Sequence, residues 1–473
     1  MTEPTLLWLR RDLRLSDHPA LLAAVARGGP VIPVVIRDDL LTGLGSAPKW
    51  RLGLSLAVME TSLREKASRL ILRSGAAAEV LAGLVEETGA EAVYWTRAYD
   101  PDSIARDRAV KAHLEEAGIE ARSHAGHLLF EPWEVETGQG SYYKVYTPYW
   151  NAVKSRDVAM PERAPAKIPA PERWPESDAL EDWALGAGMR RGAAVVRPYQ
   201  QVGEAAAQER LAAFTDAAID AYKTARDLPG RDGTSGLSEN LSLGEISVRQ
   251  CWHAVMRARH EGAAGAETWA KELVWREFAY HLVYHTPRLV SGNWREEWDG
   301  FPWREVGDSP EVVAWKQGRT GVAFVDAAMR EMYVTGKMHN RARMVAASYL
   351  TKHLMTHWRI GQAWFEEHLS DWDVAANALG WQWVAGSGPD ASPFFRIFNP
   401  ETQAEKFDKD GAYRRAWIAE GQAAPPETAR AYFDAVPRRW GLSVSDRYPD
   451  SPVVGLKEGR AAALAAYEAR KPG

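Results

Sequence analysis

Along the first 130 residues, short apolar runs alternate with longer stretches whose apolar positions recur every three or four residues. TLLWLR (5–10), PVIPVVIR (30–37), RLILRSG (69–75) and AVYWTR (92–97) are apolar, β-branched and bounded by turns or charges, the pattern of buried strands. Between them, residues 50–67, 76–89 and 102–117 are rich in Ala, Leu and Glu and carry helical periodicity. Strand and helix in alternation predict an α/β domain over 1–130. Its parallel sheet is doubly wound, with helices on both faces and ligands beyond the carboxyl ends of the strands. Neither G-x-G-x-x-G after the first strand nor G-x-x-x-x-G-K-[ST] anywhere occurs, so the usual dinucleotide and triphosphate cradles are not encoded.

The pattern breaks over 131–200. Five prolines fall between Pro161 and Pro175, each lacking a backbone donor, which predicts a surface linker. From 201 to 473 the chain reads as an all-α domain punctuated by Gly and Pro. WAKELVWREFAYHLVYH (269–285) is an amphipathic helix with aromatic residues around much of its girth. A length of 473 residues suits two domains.

Composition narrows the function classes. A single cysteine, Cys251, excludes an internal disulfide, an iron–sulfur cluster and thiolate zinc sites, and it fits a reducing interior. No segment reaches the roughly 18 uninterrupted apolar residues of a membrane span, so a cytoplasmic protein is expected. The formal charge of −5 does not decide for or against nucleic acid, because binding depends on local patches. Tryptophan is the outlier, with 21 residues, most of them after position 250.

Five stretches carry candidate chemistry. His353 and His357, in HLMTH, have the i, i+4 spacing of two metal ligands on a helix, but no Glu follows His353 and no third ligand lies nearby in sequence, so no metal is expected. GTSGL (233–237) sets hydroxyls among glycines, suited to a phosphate. Glu272 lies among Trp269, Trp275 and Phe278, where a carboxylate is either functional or costly. With MHNRARM (338–344) this helix offers a carboxylate, three arginines, an amide and flat surfaces, a set that suits an extruded base. SDWDVAANALGWQW (370–383) adds two carboxylates, one amide and three indoles.

MHNRARM (338–344) and DWDVAANALGWQW (371–383), together with LLWLRRDLRLSDHPAL (6–21), YKVYTPYW (143–150), GTSGLS (233–238), ELVWREFAYHL (272–282), AWKQGRTG (314–321), VDAAMR (325–330) and FFRIFNPETQAEKFD (394–408), run nearly end to end. By them the chain resembles the photolyase/cryptochrome flavoproteins, and within them the bacterial photolyases of cyclobutane pyrimidine dimers. The resemblance implies folded-back FAD in the helical domain. Tyr222 and Thr234, Ser235, Gly236, Leu237 and Ser238 would hold its phosphates, with Trp269 nearby. Asp371, Trp372 and Asp373 would line the ribose and ring, Asn340 and Arg343 would approach the ring, and the Asn377 amide would face flavin N5. Trp381, Trp358 and Trp303 match the family's electron relay.

The reaction implied is light-driven splitting of a dimer flipped out of DNA. Glu272 would hydrogen-bond a dimer carbonyl, Trp275 and Trp383 would sandwich the dimer, and Met344 would fill the gap. Arg226, Arg276, Arg341 and Gln403, with Asn340, would contact ultraviolet-damaged DNA, single- or double-stranded, and the protein would act as a monomer. A second antenna chromophore is implied, methenyltetrahydrofolate ahead of a deazaflavin. The sequence departs from the family at SENLSL (238–243), at Lys337, and in YDPDSIARD (99–107), which lacks the Asn-Glu pair that holds folate in the best-matching branch. The alternatives are a cryptochrome that signals without repair and a photolyase of the (6-4) photoproduct. The latter needs a pair of histidines where this chain has His339 followed by Asn340.

Overall fold

The structure, a computed structural model, describes residues 3–391 and 393–470. The chain divides into two compact units that are not contiguous in sequence. One comprises residues 1–188, 201–220 and 235–287, the other 189–200, 221–234 and 288–473.

The first unit is built on five strands, β1 (Thr5–Trp8), β2 (Val31–Arg37), β3 (Ile71–Ser74), β4 (Ala92–Thr96) and β5 (Glu120–His124). All pairings are parallel in the order β3-β2-β1-β4-β5, with Thr5 opposite Val31 on one side and Ala92 on the other. The central strands are wholly apolar, apart from Thr5 and the ends of β2 and β4, because helices cover both faces of a parallel sheet. Helices Ser46–Glu65, Ala77–Thr88 and Pro101–Glu116 stand where the periodicity placed them. Strand β5 (EARSH) was not expected. It lies at the sheet edge with one fully buried residue, so it lacks an apolar run to announce it.

Residues 131–188 are more than a surface linker. Ile168 and Trp183 are buried in the same core as Leu56, Leu63 and Leu72, so apolar side chains set among the prolines anchor the segment to the sheet domain. Helices Glu204–Ala217, Val248–His260 and Ala266–His285 belong to this unit too. They are tied to it by Arg51, whose guanidinium donates to both carboxylate oxygens of Glu245 at 3.0 and 2.7 Å with neither side chain exposed.

The second unit is helical. Its core takes in Trp298, Trp303, Trp315, Trp358 and Trp381 and is built on helices Ala323–Thr335, Asn340–Ser348, Trp358–His368, Val374–Ala385 and Leu456–Arg470. His353 and His357 do not share a helix face. His353 ends a π-helical turn (Tyr349–His353), and His357 caps the next helix by accepting from the Arg359 N–H.

One buried acid in the first unit gives a test of these contacts. Glu277 accepts the Leu129 N–H at 2.7 Å, and burial pushes its carboxyl up to about 7 although Arg276 and the Leu129 and Phe130 N–H groups pull it back. A carboxyl raised in the folded state binds more protons there than in the unfolded chain. Its ionisation therefore removes stability as pH rises from about 4.5 to about 7, after which the loss is constant. Glu277→Gln should flatten that decline in denaturant unfolding measured between pH 5 and 8, because an amide oxygen still accepts from Leu129. An unchanged slope would show that the carboxyl ionises freely.

Candidate functional site

The expected site residues fall on both units, and each group is taken within its own. In the first unit, the Ala266–His285 helix carries Trp269, Glu272, Trp275 and Arg276. Trp269 is buried against Phe214, ring centroids 4.8 Å apart. Glu272 and Trp275 are both half-buried, three residues apart and so on one face of the helix. The Trp275 indole lies flat on Tyr146, with centroids at 3.7 Å and planes at 5°. The Arg276 guanidinium donates to the His127 carbonyl at 3.0 Å, meets the His127 ring at 2.9 Å and pairs with Glu277 at 3.3 Å, leaving the side chain 13 % exposed. These contacts make it a strut within the unit.

The phosphate-loop residues straddle the division between the units. Gly236 has φ +61°, a conformation that favours glycine, and its carbonyl accepts from Arg210. Leu237 is buried, Ser235 is half-buried and Ser238 is exposed at the start of a short helix, Ser238–Ser242. The departing run SENLSL turns inward here. Asn240 is buried and donates to Glu245 at 2.6 Å, joining the Arg51 pair. In the second unit Tyr222 is buried, Thr234 is half-buried, and Arg226 lies over the Tyr222 ring at 5.6 Å.

The second unit gathers the remaining candidates where the Asn340–Ser348 helix packs against Val374–Ala385. Arg343 donates to Asp371 at 2.7 Å and to the Met338 carbonyl at 2.7 Å. The second oxygen of Asp371 is buried with no hydrogen-bond partner among the described residues. Asp373 is the N-cap of Val374–Ala385, accepting from the Ala376 N–H at 2.9 Å, and the buried Asn377 amide donates to the Asp373 carbonyl at 3.0 Å. Trp372 is half-buried and Asn340 is exposed at its helix start. His339 caps that helix through Nδ1, and burial lowers its pKa to about 4, so the ring is neutral at neutral pH. A neutral histidine, a paired arginine and a carboxylate with one open oxygen form a polar lining that can take a donor-rich cofactor.

Trp383 and Met344 are half-buried against the core of this unit. Arg341 pairs with Asp227 at 2.8 Å over the Phe407 ring, and the Gln403 side-chain oxygen is buried without a partner among the described residues. Of the three expected relay tryptophans, Trp358 donates to Asn293 at 2.8 Å and Trp303 to the Thr351 carbonyl at 2.9 Å. The His357 ring stands between them, 5.4 Å from each. Trp381 lies against Gly361, three residues after Trp358 on the same helix face.

Residues 5–172 match the DNA photolyase family, and residues 269–469 match the FAD binding domain of DNA photolyase. The deoxyribodipyrimidine photo-lyase of Agrobacterium fabrum is 44 % identical, covering 99 % of this chain and 98 % of its own. That of Escherichia coli is 34 % identical, covering 99 % of each. The chain belongs to the DNA photolyase family. It is an enzyme of that family, it acts on DNA and it carries the family's FAD-binding domain. Among solved structures, a bacterial class III photolyase from Agrobacterium tumefaciens superposes with a TM-score of 0.91 at 44 % identity, covering 99 % of this chain and 98 % of that one. An archaeal photolyase from Sulfolobus tokodaii with two FAD molecules gives 0.81 at 28 %, covering 98 % and 100 %. Synechocystis cryptochrome gives 0.85 at 27 %, covering 98 % and 99 %. No helix of the described residues is long and apolar enough to cross a membrane.

Two features of this photolyase were not read from sequence. Glu331 accepts from the Tyr413 hydroxyl and the His339 N–H, and burial pushes its carboxyl up to about 7, with Asp371 adding to the rise and Arg343 opposing it. An acid inside an otherwise apolar helix face, directly after VDAAMR, was the available signal. The second is the cluster of charges beyond β1 and β4, at the end of the sheet where ligands were expected. Here Arg10 and Arg106 lie over the Trp8 ring at 4.3 and 4.8 Å and both pair with Asp107.

Gly361 decides where Trp381 sits. A Cβ at this position would fall on ring atoms Cη2 and Cζ3 of Trp381 and 2.7 Å from Leu350. Gly361→Ala should therefore cost about 3 kcal/mol of stability, the upper end of overpacking. In a Trp381→Phe background, which lacks those two atoms, the same change should cost under about 1.5 kcal/mol. Denaturant melts of the four proteins measure it, and equal costs in both backgrounds would place the Trp381 ring elsewhere.

Proposed function

We propose that this photolyase splits cyclobutane pyrimidine dimers in DNA in a light-driven reaction, as a monomer in the cytoplasm, on single- or double-stranded substrate. The names and titles of its relatives support the lesion, and full-length similarity to the Agrobacterium tumefaciens structure supports the class III branch. The observation that carries the reading is the pairing of Glu272 and Trp275 on one helix face, a half-buried carboxyl beside a half-buried indole held flat.

Tyr222, Thr234 and Ser235–Ser238 hold the FAD phosphates and Asp371, paired with Arg343, offers its open oxygen to the cofactor. When bound, reduced FAD supplies on illumination the electron that opens the cyclobutane ring. Asn377 presents an amide, which donates or accepts without imposing a charge. Trp275 and Trp383 stack on the extruded pyrimidines, a contact worth about 1–3 kcal/mol per base. Glu272 hydrogen-bonds a dimer carbonyl and stabilises the charge that develops there, where exclusion of water makes the contact strong. Trp303, Trp358 and Trp381 conduct electrons inward from the protein surface. Arg226, Arg276, Arg341, Asn340 and Gln403 meet the DNA around the lesion.

An antenna chromophore, methenyltetrahydrofolate ahead of a deazaflavin, is part of the proposal. The two FAD molecules of the archaeal relative support a second chromophore in this family. No step is assigned to that chromophore.

Light-dependent loss of dimers from an oligonucleotide, compared with a dark control, tests the activity. No loss in the light would overturn it in favour of a light receptor, the reading that the cryptochrome similarity supports. Glu272→Ala should bind the dimer-containing duplex within about twofold of the parent yet split roughly tenfold fewer dimers per absorbed photon. Equal losses in binding and yield would make Glu272 a substrate-positioning group only.

Affinity should fall steeply with salt despite the net charge of −5. Arg226→Ala and Arg341→Ala should each reduce the slope of log affinity against log salt by roughly one unit. If both leave the slope unchanged, the DNA lies on another face.

A further inference from the structure

The motif YKVYTPYW has no part in the chemistry so far, yet most of it docks on the helix that carries Glu272 and Trp275. Its Tyr143 N–H donates to His281 at 3.1 Å, Tyr149 packs against Phe278, and Tyr146 donates from its hydroxyl to the Lys271 carbonyl at 2.7 Å. Tyr146 is itself buried. With its hydroxyl tied to the helix backbone, its ring cannot turn without breaking that bond. The ring is stacked face to face on Trp275 at 3.7 Å and 5°, and Phe278 meets both rings edge-on at 5.8 and 5.7 Å. Three fixed contacts therefore set the plane of the indole. No aromatic ring among the described residues lies on the opposite face of Trp275, and the residue is half-buried.

We propose that Tyr146 is a positioning residue for substrate. It occupies one face of Trp275 permanently, so that only the other face receives a pyrimidine, at a fixed angle to Glu272. This rests on the reading that Trp275 touches the dimer. Packing alone would not need a hydroxyl anchor, an edge-on third ring and near-parallel planes together. A base stacked on an indole keeps its energy only while the two planes stay parallel, so a rocking indole would weaken recognition without weakening the fold.

The test compares Tyr146→Phe, which keeps the plane and loses the hydroxyl, with Tyr146→Met, which fills the space without a plane. The readout is the ratio of affinities for dimer-containing and undamaged duplex, a ratio that loss of stability alone does not move. The Phe variant should keep the parent ratio to within about threefold, and the Met variant should lower it roughly tenfold. Trp275→Ala is the control for the underlying reading. If it leaves the ratio unchanged, Trp275 does not meet the dimer and that reading fails. If it lowers the ratio while Tyr146→Met does not, the positioning role of Tyr146 is overturned.

Should Tyr146→Met not fold, 19F NMR of the parent and the Phe variant labelled with 5-fluorotryptophan decides. The Trp275 resonance, assigned by its loss in Trp275→Phe, should be one sharp line in both proteins and should move on adding the dimer duplex. Exchange broadening in the free parent would show an indole that rocks and would overturn the inference.

Discussion

The first unit depends on one buried ion pair. Arg51 and Glu245 are 194 residues apart in sequence, neither is exposed, and their two parallel hydrogen bonds are extended by Ser55 and Asn240, which both donate to the same carboxylate. Removing either charge would leave the other buried and unpaired, at a cost of about 3–5 kcal/mol. The geometric fit of guanidinium to carboxylate also fixes orientation, which an apolar contact would not. The pair locks the Ser46–Glu65 helix of the sheet domain to the turn between the Ser238–Ser242 and Val248–His260 helices. Everything the chain places just before and after that turn inherits its position. Together with the Asp17–Arg249 pair and the contacts of Glu277 with Leu129, the Arg51–Glu245 pair holds segments from beyond residue 200 in the same unit as the sheet.

Strands β1 to β4 and the helices Ser46–Glu65, Ala77–Thr88 and Pro101–Glu116 were legible because burial writes itself as apolar runs and helical periodicity, whereas the short helices Pro19–Ala26 and Asp39–Thr42 were not expected. The same logic explains what was not legible. Strand β5 is an edge whose residues need bury only Ala121, so backbone pairing holds it rather than side-chain burial. The proline-rich segment carries Ile168 and Trp183, two anchors too far apart to make a periodicity. The HLMTH spacing failed for a different reason. Two histidines four apart share a face only in a continuous α-helix, and here a π-helical turn gives out between them.

At the candidate site, motifs revealed which residues to look at and geometry altered what several of them do. Asp373 caps a helix, a role any N-terminal aspartate can fill, yet the same cap orients the Asn377 amide through the Asp373 carbonyl. Arg276 was expected at the DNA by resemblance, and its other contacts were not legible. Its side chain turns to His127, a partner 149 residues away that no local pattern could reveal. Glu331 escaped notice because an isolated acid in a helix normally points to water. Burial raises its carboxyl to about 7, although the Tyr413 hydroxyl and the His339 N–H, both from other segments, pull it back.

The abundance of tryptophan admits two accounts, core packing and function, and the structure shows why they do not compete. Trp358, Trp303 and Trp381 are buried in the second unit's core, yet each is fixed by something more specific than contact area. Two direct their N–H at a single acceptor, Asn293 or the Thr351 carbonyl, and the third fits a slot that exists only because residue 361 has no side chain. A core that needed only volume would tolerate other rotamers and other residues. Contacts that depend on ring orientation fix the planes, and planes matter for passing electrons and for stacking bases. In the first unit the same principle recurs at Trp275, where the ring stacked on the indole comes from a distant stretch of chain. Burial supplies most of the energy that holds these indoles, and the directional contacts determine what the held indoles can do.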